Sequence, residues 1–497
     1  MAFDEATRTI IEAAEATIKD AKEAARKKGP KEDPLSSENL HRIVEWLYET
    51  HFAHNEEPTL RLWNNNWWRW RKGTWTMISK EDLDAEIFGR VIASKEDGGF
   101  GLKNFPHFAR LDTLALLRDH LLPLPDSQEF QSWLPASSEV GADIKTEGTW
   151  VNCTRGPLRA ADTEDPEFIP HTPRYFTPVL IPRKYVPEHP PTFWLNFLDQ
   201  VLERDEKRIA VLQEWFGYCL LPTTRYQRML MLVGPGGNGK TVVLNVLTEM
   251  LGKHNCSNVE LDDINTKYGP FYTFGKLANI CGDIATRYLK KPGRIKAFIG
   301  GDMIQFEQKY MNAFSTKPTA KLIFSMNDLP NTDDDSEGFY RRMLTIPFMF
   351  TPPEPDPLLA NSQSHKWPFR PELDGIFTWA LEGLIHLLHK DGFTESNSIK
   401  ECMDAWRLGN EGVRRYADER LDFNHANDVS TPCDFISLDY EKWAKKNREK
   451  PFSAQGLGKR LRRIHPKLDV IRRKTGTKVV RHWHGLQFRA DAPVLGD

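Results

Sequence analysis

The stretch Met229-Leu-Met-Leu-Val-Gly-Pro-Gly-Gly-Asn-Gly-Lys-Thr241 decides the fold expected for the centre of this 497-residue chain. Its leading apolar run predicts a buried strand, and apolar residues after Thr241 recur at helical spacing. Between them, Gly234 to Thr241 follow the pattern G-x-x-x-x-G-K-[ST], in which glycines let backbone N–H groups turn towards a phosphate. The sequence therefore predicts a nucleoside-triphosphate-binding loop between a strand and a helix.

The whole loop supplies the predicted phosphate-binding residues. These are Gly234, Pro235, Gly236, Gly237, Asn238, Gly239, Lys240 and Thr241. The N-terminus of the following helix carries partial positive charge, which favours a bound phosphate. We expect Lys240 to reach the β- and γ-phosphates and the Thr241 hydroxyl to bind Mg²⁺.

Two polar residues that end apolar segments are predicted to complete the chemistry. Lys276-Leu-Ala-Asn-Ile-Cys-Gly-Asp283 is a short strand ending in an acid, at the end of a strand expected to neighbour the loop. Asp283 is therefore the predicted second Mg²⁺ ligand; the alternative is a helix N-cap for the segment that begins at Ile284. The strand Ala320–Asn327 ends in an amide. Asn327 can hydrogen-bond the attacking water or the γ-phosphate, unless it is only a turn residue.

Two basic features follow the loop in the chain. Arg341 and Arg342 precede an apolar strand-like run, and an arginine there can reach the γ-phosphate of a neighbouring subunit. The alternative is a solvated pair. The segment Ile304–Ser315 predicts a hairpin with Lys309 and Tyr310 near its tip. A lysine and an aromatic ring on such a loop suit contact with a nucleic-acid strand.

A tryptophan-rich region lies in the N-terminal part of the chain. It interleaves Trp63, Trp67, Trp68, Trp70 and Trp75 with Arg61, Arg69, Arg71 and Lys72. Aromatic and basic residues together suit single-strand binding, since bases stack on rings while cations neutralise phosphates. The alternative is a β-hairpin that turns near Lys72-Gly73 and buries its tryptophans in a core.

The C-terminal region becomes strongly basic after Leu438. Helical patterns at 438–448 and 453–464 precede strand-like runs at 468–473 and 478–488, which is the order of a winged helix. Ala454–Arg463 is the expected recognition helix. Its predicted DNA contacts are Lys459, Arg460, Arg462 and Arg463. The alternative is a basic, solvated domain that only packs on a ring of subunits.

Composition favours a cytoplasmic protein of several domains. The chain is too long for one core, and its net charge of −2 does not by itself indicate a partner. The six cysteines contain no C-x-x-C pair, which argues against zinc or a disulfide framework and fits a reducing compartment. We expect no membrane association, because no apolar run approaches the length of a span and the N-terminus has no secretory signal.

The order of these motifs resembles the superfamily-3 helicase motor: loop, acidic strand, basic hairpin, amide strand, arginine pair. More closely, the chain resembles the helicase part of phage and plasmid primase–helicases, the family that includes the poxvirus primase–helicase. The flanking segments 150–158, 170–176, 212–219 and 377–384 also resemble that family, so that roughly residues 60 to 425 are matched.

The resemblance implies an ATPase that uses ATP and Mg²⁺ and forms a ring, typically a hexamer, on single- or double-stranded DNA. ATP would lie between subunits, with Arg341 or Arg342 supplied by the neighbour, and translocation is typically 3′→5′. Two departures matter. Gly282 precedes Asp283 where the superfamily often has two adjacent acids, which leaves the general base open. The hairpin tip has Met311-Asn312 where a basic residue is common.

The expected fold is a multidomain protein with an α/β AAA+-like P-loop motor, a mixed α+β N-terminal region, a helical collar and a C-terminal winged helix. Six segments are predicted. They are a charged helical arm and linker (1–37), the tryptophan-rich region (38–135), a pre-motor segment with the collar (136–220), the motor (221–355), a helical segment (356–428) and the winged-helix-like domain (429–497).

The predicted function is an ATP-dependent DNA helicase of a phage, plasmid or other mobile element. The alternative is an ATP-switched replication initiator that unwinds little by itself. A small-molecule kinase is disfavoured, because Asn327 and the arginine pair suit hydrolysis within a ring. A primase needs a cluster of catalytic carboxylates, and near the N-terminus only Asp82-Leu-Asp84, in a helical pattern, has the D-x-D spacing. We therefore expect any primase or polymerase to be a separate partner or to be absent.

Overall fold

The chain divides into two compact units in the computed structural model. The first comprises Met1–Gly148, Arg155–Pro157 and Phe168–Leu180, and the second comprises Thr149–Thr154, Leu158–Glu167 and Ile181–Asp497. The structure describes residues 36–94, 105–121, 123–137, 146–160, 166–282, 288–289, 293–309, 313–332, 334, 336–354, 356–410, 412–423, 429–447, 451–475 and 478–492. Most of the predicted arm therefore lies outside the described residues. In these ranges, no helix combines the length and apolarity that a bilayer crossing requires.

Among the described residues, three helices and nine short strands lie between Ser37 and Phe176, most of them in the first unit. The helices are α1 (Ser37–His51), α2 (Lys80–Ala93) and α3 (His107–Leu121). The strands are β1 (Ala53–His54), β2 (Glu57–Pro58), β3 (Leu60–Trp63), β4 (Asn66–Arg71), β5 (Thr74–Ile78), β6 (Ser132–Trp133), β7 (Thr149–Cys153), β8 (Gly156–Ala160) and β9 (Tyr175–Phe176). The hydroxyls of Ser36 and Ser79 accept backbone N–H bonds and so begin α1 and α2.

The tryptophans belong to the core of the first unit. Strands β3, β4 and β5 form an antiparallel sheet, and the predicted turn is confirmed at Lys72 and Gly73, both with positive φ. Four of the five rings are buried: Trp63, Trp67, Trp68 and Trp75. Trp70 is half-buried. Since rings that pack in a core cannot also stack on bases, the core interpretation is confirmed for these four.

Two of the interleaved arginines also lie in this interior. Arg69 donates to the carbonyls of Thr59 at 3.0 Å and of His51 at 2.6 Å, and burial lowers its pKa to about 10. Arg61 donates to the Leu121 carbonyl at 3.0 Å. These bonds hold β3 and β4 to the ends of α1 and α3, so the buried Arg69 and the half-buried Arg61 both stabilise the unit.

A five-stranded parallel sheet organises the second unit, and the predicted mixed α/β multidomain architecture is confirmed at that level. The strands from this region are β10 (Met229–Val233), β11 (Cys256–Ser257), β12 (Ala278–Cys281), β13 (Tyr288–Leu289), β14 (Ile304–Phe306), β15 (Phe314–Thr316), β16 (Lys321–Met326), β17 (Asn331–Thr332) and β18 (Met343–Pro347). The order in the sheet is β11-β12-β16-β10-β18. Strands β12, β16 and β18 are buried along their whole length, which explains why most of their residues are apolar.

Helices cover this sheet and continue beyond it. They are α4 (Thr192–Val201), α5 (Glu206–Tyr218), α6 (Lys240–Leu251), α7 (Leu261–Ile264), α8 (Gly293–Gly300), α9 (Glu337–Tyr340), α10 (Pro357–Ala360), α11 (Leu373–Lys390) and α12 (Asn397–Asn410). Glycines let α5 and α11 approach closely. A Cβ on Gly217 would lie 2.3 Å from the backbone nitrogen of Leu384, and one on Gly383 would lie 2.4 Å from the Gln213 carbonyl oxygen.

The C-terminal part of the second unit has its own apolar core. Its elements are α13 (Gly412–Arg420), β19 (Leu421–Phe423), β20 (Ser430–Pro432), α14 (Cys433–Lys446), α15 (Ala454–Ile464), β21 (Asp469–Thr475), β22 (Lys478–His484) and β23 (Leu486–Phe488). The strands β20, β22 and β21 form one sheet. Helix α14 begins at Cys433, before the predicted Leu438, because Pro432 precedes it and ends β20. The predicted strand 478–488 is interrupted at Gly485, which has φ +78°.

We predict that Gly383→Ala lowers the free energy of unfolding by about 1–3 kcal/mol, because the new methyl group must push two packed helix backbones apart. Gly89→Ala in α2 is the matched control: nothing lies within 4 Å of its added Cβ. That change should stabilise its helix by about 0.5–1 kcal/mol. Urea unfolding of both variants checks this, and equal effects would contradict the close approach of α5 and α11.

Candidate nucleotide-binding site

The predicted loop leaves the sheet at its carboxyl edge, between β10 and α6. The strand and the helix predicted on either side are both confirmed. Gly234, Gly237 and Gly239 have φ of +150°, +76° and +90°, conformations that L side chains rarely adopt. Gly239 is the N-cap of α6. The backbone therefore follows the path that the glycine pattern predicts.

One carbonyl group beyond β18 closes against this loop. The Phe348 N–H donates to the Val233 carbonyl at 2.7 Å, while the Phe348 carbonyl oxygen accepts a hydrogen bond from the Asn238 amide. A Cβ on Gly234 would lie 2.0 Å from that same oxygen. Only glycine fits at this position. The residue that follows β18 therefore constrains the shape of the loop from outside it.

Lys240 is directed into the loop. Its ammonium group donates to the Gly234 carbonyl at 2.6 Å, the Pro235 carbonyl at 2.8 Å and the Asn238 side-chain oxygen at 2.9 Å. The side chain is almost completely buried. Since a buried ammonium needs strong acceptors, phosphate oxygens that entered the loop could replace these partners. The amide of Asn238 thus links the lysine to Phe348.

Thr241 lies on the exposed side of the loop, in a cavity of 360 Å³ that we call the threonine cavity. Gly282 lines the same cavity. Asp283, the predicted second Mg²⁺ ligand, lies outside the described residues. One expectation needs correction: β12, which leads to Asp283, is not the immediate neighbour of β10, because β16 lies between them.

Asn327 follows the strand that does adjoin β10. In the parallel register Val233 lies opposite Met326, and the Gly234 N–H donates to the Met326 carbonyl at 3.3 Å. Asn327, the next residue, is exposed at this edge. The sheet thereby brings the predicted amide to the beginning of the loop, at the edge where Thr241 also lies.

Arg341 and Arg342 lie at the opposite edge. The Arg342 carbonyl accepts the Met229 N–H at 2.8 Å, at the amino end of β10. The length of β10 then separates the arginines from the loop of the same chain by roughly 17 Å. Arg228 is nearby: burial, and then the positive charge of Arg341, lower the pKa of its guanidinium. The structure therefore does not bring this arginine pair and the loop together within one chain.

The predicted basic hairpin is confirmed as strands β14 and β15, with Phe306 opposite Phe314. Both rings pack on Phe274, at centroid distances of 5.3 and 4.8 Å. Lys309 is exposed in the connecting turn. Tyr310 lies outside the described residues. The hairpin leads into the amino end of β16, so it lies on the sheet edge opposite the loop.

Two buried polar residues that the sequence alone did not single out support the site. Asn279 in β12 is fully buried, and its side chain bonds both backbone groups of Val259 and the Ser257 hydroxyl, each at 2.8 Å. Arg208 donates to the carbonyls of Pro347 and Leu202, each at 2.9 Å. The available signal for Asn279 was an amide inside an otherwise apolar strand. Nothing local indicated the partner of Arg208, which lies 139 residues away.

The predicted DNA-contacting residues of α15 lie in the C-terminal part of the second unit. Lys459 is exposed. The guanidinium carbon of Arg460 lies 3.6 Å from the Phe452 ring centroid, and that of Arg462 lies 5.2 Å from the Trp483 ring centroid. The side chain of Arg463 lies outside the described residues. Contacts with aromatic rings thus position Arg460 and Arg462, two of the four predicted DNA-contacting residues.

Comparison with known proteins relates the chain to helicases by sequence. A family model described as "Family of unknown function (DUF5906)" matches residues 232–342, from the end of β10 to Arg342. A protein of Acanthamoeba polyphaga mimivirus named "Putative helicase L207/L206" is 27% identical over 144 residues, which are 26% of this chain and 14% of the viral protein. The chain thus spans a small part of that relative's length and has weak homology to it.

Solved structures of the NrS-1 C terminal region align along most of the chain. The A form of its apo structure is 13% identical, covers 91% of this chain and 99% of that chain, and has a TM-score of 0.44. The A form described for residues 305–718 is 14% identical, with the same two coverages and a TM-score of 0.45.

We predict that Gly234→Ala weakens nucleotide binding about tenfold or more, because a methyl group cannot fit against the Phe348 carbonyl at a positive φ. Gly89→Ala is the control, since its added Cβ has nothing within 4 Å and it lies outside the loop, and it should retain the wild-type affinity. Titration with a fluorescent ATP analogue measures both. Equal loss in the two variants would show that the loop does not depend on this contact.

Proposed function

We propose that the protein is an ATP-dependent DNA helicase of superfamily-3 type, from a phage, plasmid or other mobile element, which translocates on DNA as a ring. The supporting observation is the arrangement of the parallel sheet. The glycine loop and Asn327 share its carboxyl edge, whereas Arg341 and Arg342 lie at its amino edge. Because this arginine pair lies far from the loop of its own chain, we propose that it serves the loop of a neighbouring subunit.

The chemistry follows from the loop. The positive φ of Gly234, Gly237 and Gly239 lets backbone N–H groups turn towards phosphates without strain. In the proposed reaction Lys240 exchanges its three loop acceptors for phosphate oxygens, and Asn327 orients the attacking water. Thr241 and Asp283 would hold Mg²⁺, which neutralises charge on the phosphates when bound. The neighbour's Arg341 or Arg342 stabilises charge that develops on the γ-phosphate.

The proposed DNA contact of the helicase comes from the β14–β15 hairpin. Lys309 is exposed on the β14–β15 hairpin, where it would neutralise a phosphate of a strand in the ring channel. The weak similarity to a viral protein named as a helicase also supports a role in unwinding. The exposed Lys309 and the similarity to the viral protein both favour DNA as the partner. ATP hydrolysis would supply the free energy for movement along the DNA.

The alternative function is a replication initiator in which ATP switches assembly on duplex DNA. Helix α15 and the strand pair β21–β22 favour it, because a helix followed by a β-wing suits docking in the major groove. Lys459 is exposed on that helix. A winged helix and a translocating motor can also act together, with the first selecting the site at which the second is loaded.

We predict that single-stranded DNA stimulates ATP hydrolysis by the wild-type protein and that Lys240→Ala reduces hydrolysis about 100-fold or more. Thr241→Ala, which alters an exposed side chain, should lose activity as well while retaining the fold by circular dichroism. Particle mass is measured alongside, and strand displacement from a tailed duplex separates the two functions. DNA-stimulated hydrolysis without displacement would favour the initiator; DNA-independent hydrolysis by a monomer would contradict both.

A further inference from the structure

A second cavity lies beside the threonine cavity. It has a volume of 580 Å³, and we call it the tyrosine cavity because Tyr268 and Tyr272 form part of its wall. Tyr268 is 41% exposed and Tyr272 is 61% exposed. Two large rings at the rim of an open cavity offer flat apolar surfaces to a ligand, whereas most aromatic side chains among the described residues are not exposed.

The chain is shaped to present these rings. The residues Gly269–Thr273 form a single 3-10 turn, and a Cβ on Gly269 would lie 1.9 Å from the Asp263 carbonyl oxygen. That close approach folds the segment back on α7. The Arg294 guanidinium donates to the Thr266 carbonyl at 2.7 Å and holds the turn from outside. The tyrosines are therefore held on an ordered turn.

Basic side chains connect this turn with the hairpin. The Lys267 ammonium lies 5.5 Å from the Tyr268 ring centroid and forms an ion pair with Glu307 at 2.7 Å. Glu307 belongs to the hairpin turn that carries Lys309. Phe274 packs the other end of the 3-10 turn against the hairpin rings. The tyrosines and both lysines thus belong to one structural block.

We propose that the tyrosine cavity binds a base of single-stranded nucleic acid, stacked on Tyr272 and Tyr268, with neighbouring phosphates next to Lys267 and Lys309. Base–aromatic stacking beside cations is a general mode by which proteins bind single-stranded nucleic acid. The inference rests on the proposed function for the identity of the ligand as DNA. The proposal gives the bound DNA strand a second contact with the protein, in addition to the contact with the hairpin.

Acidic side chains near the tyrosine cavity determine the orientation of the bound DNA strand. Glu260, Asp262 and Asp263 are exposed, and Asp263 lines the cavity. Carboxylates repel phosphates, so the backbone passes on the lysine side. A carboxylate does accept hydrogen bonds from exocyclic amino groups of bases. The cavity therefore prefers bases that carry an amino group.

The wall between the two cavities offers a route for coupling. Cys256, Ser257 and Asn258 line both of them, and the buried Asn279 holds this wall to β12 through Val259 and Ser257. A base on one side and a nucleotide beside Thr241 on the other would contact opposite faces of the same short segment. DNA in the tyrosine cavity can thereby influence hydrolysis.

The test is the affinity of the full-length protein for fluorescein-labelled oligodeoxycytidine, measured by anisotropy without ATP. Tyr272→Ala should weaken binding about tenfold through lost stacking, whereas Tyr272→Phe, which keeps the ring, should bind like wild type. Oligodeoxythymidine, which lacks the amino group, should bind more weakly than oligodeoxycytidine. Phe108→Ala, at another exposed ring (59%), is the control and should not change affinity. Basal ATP hydrolysis should be unchanged in Tyr272→Ala.

Unchanged affinity in Tyr272→Ala, with DNA-stimulated hydrolysis intact, overturns this inference and leaves the helicase proposal standing. Weaker DNA binding in Tyr272→Ala together with DNA-independent hydrolysis in wild type supports the tyrosine cavity as a base-binding site and overturns the helicase proposal. Particle mass is measured by sedimentation for each variant. If Tyr272→Ala changes the mass of the particle, the tyrosines contact another subunit and the inference is wrong. No binding of either oligonucleotide by wild type overturns both proposals.

Discussion

The loop depends on the parallel alignment of β10 between β16 and β18. That alignment places the Met326 carbonyl on one side of Gly234 and the Phe348 backbone on the other. Phe348 then accepts the Asn238 amide, and Asn238 in turn accepts the Lys240 ammonium. The bond to Phe348 orients the Asn238 side chain, and the Asn238 side chain then orients the Lys240 ammonium. The lysine is therefore oriented by a strand more than a hundred residues away in sequence, and a change in β18 would alter the loop without touching it.

The two edges of the sheet carry groups with different proposed functions. The carboxyl edge carries the loop, Asn327 and the threonine cavity, which together suit phosphate chemistry. The amino edge carries Arg341, Arg342 and the hairpin with Lys309. Because a strand is rigid, these groups cannot meet within one chain. In the proposed ring, the amino edge of one subunit meets the carboxyl edge of the next, and hydrolysis is linked to DNA through the interface.

Sequence reasoning succeeded where the signal is local. The strand, loop and helix around Lys240 follow from apolar runs, glycines and helical spacing, and the hairpin at Lys309 follows from alternation. It left the tryptophans undecided, since the same residues suit a core or a stacking surface until burial is known. It could not reveal the Asn238–Phe348 bond or the contact of α5 with α11, because both join segments distant in sequence. The order of strands, which separates β12 from β10, was hidden for the same reason.

Complementation between two inactive variants tests the account most directly. Lys240→Ala removes the loop lysine, and the double change Arg341→Ala with Arg342→Ala removes the arginines from the other edge. Each protein alone should hydrolyse ATP poorly while keeping the wild-type unfolding temperature. Mixed before assembly, they should regain part of the wild-type rate, because some interfaces pair an intact loop with intact arginines. Full activity of the arginine variant alone, or no gain on mixing, would contradict a site shared between subunits.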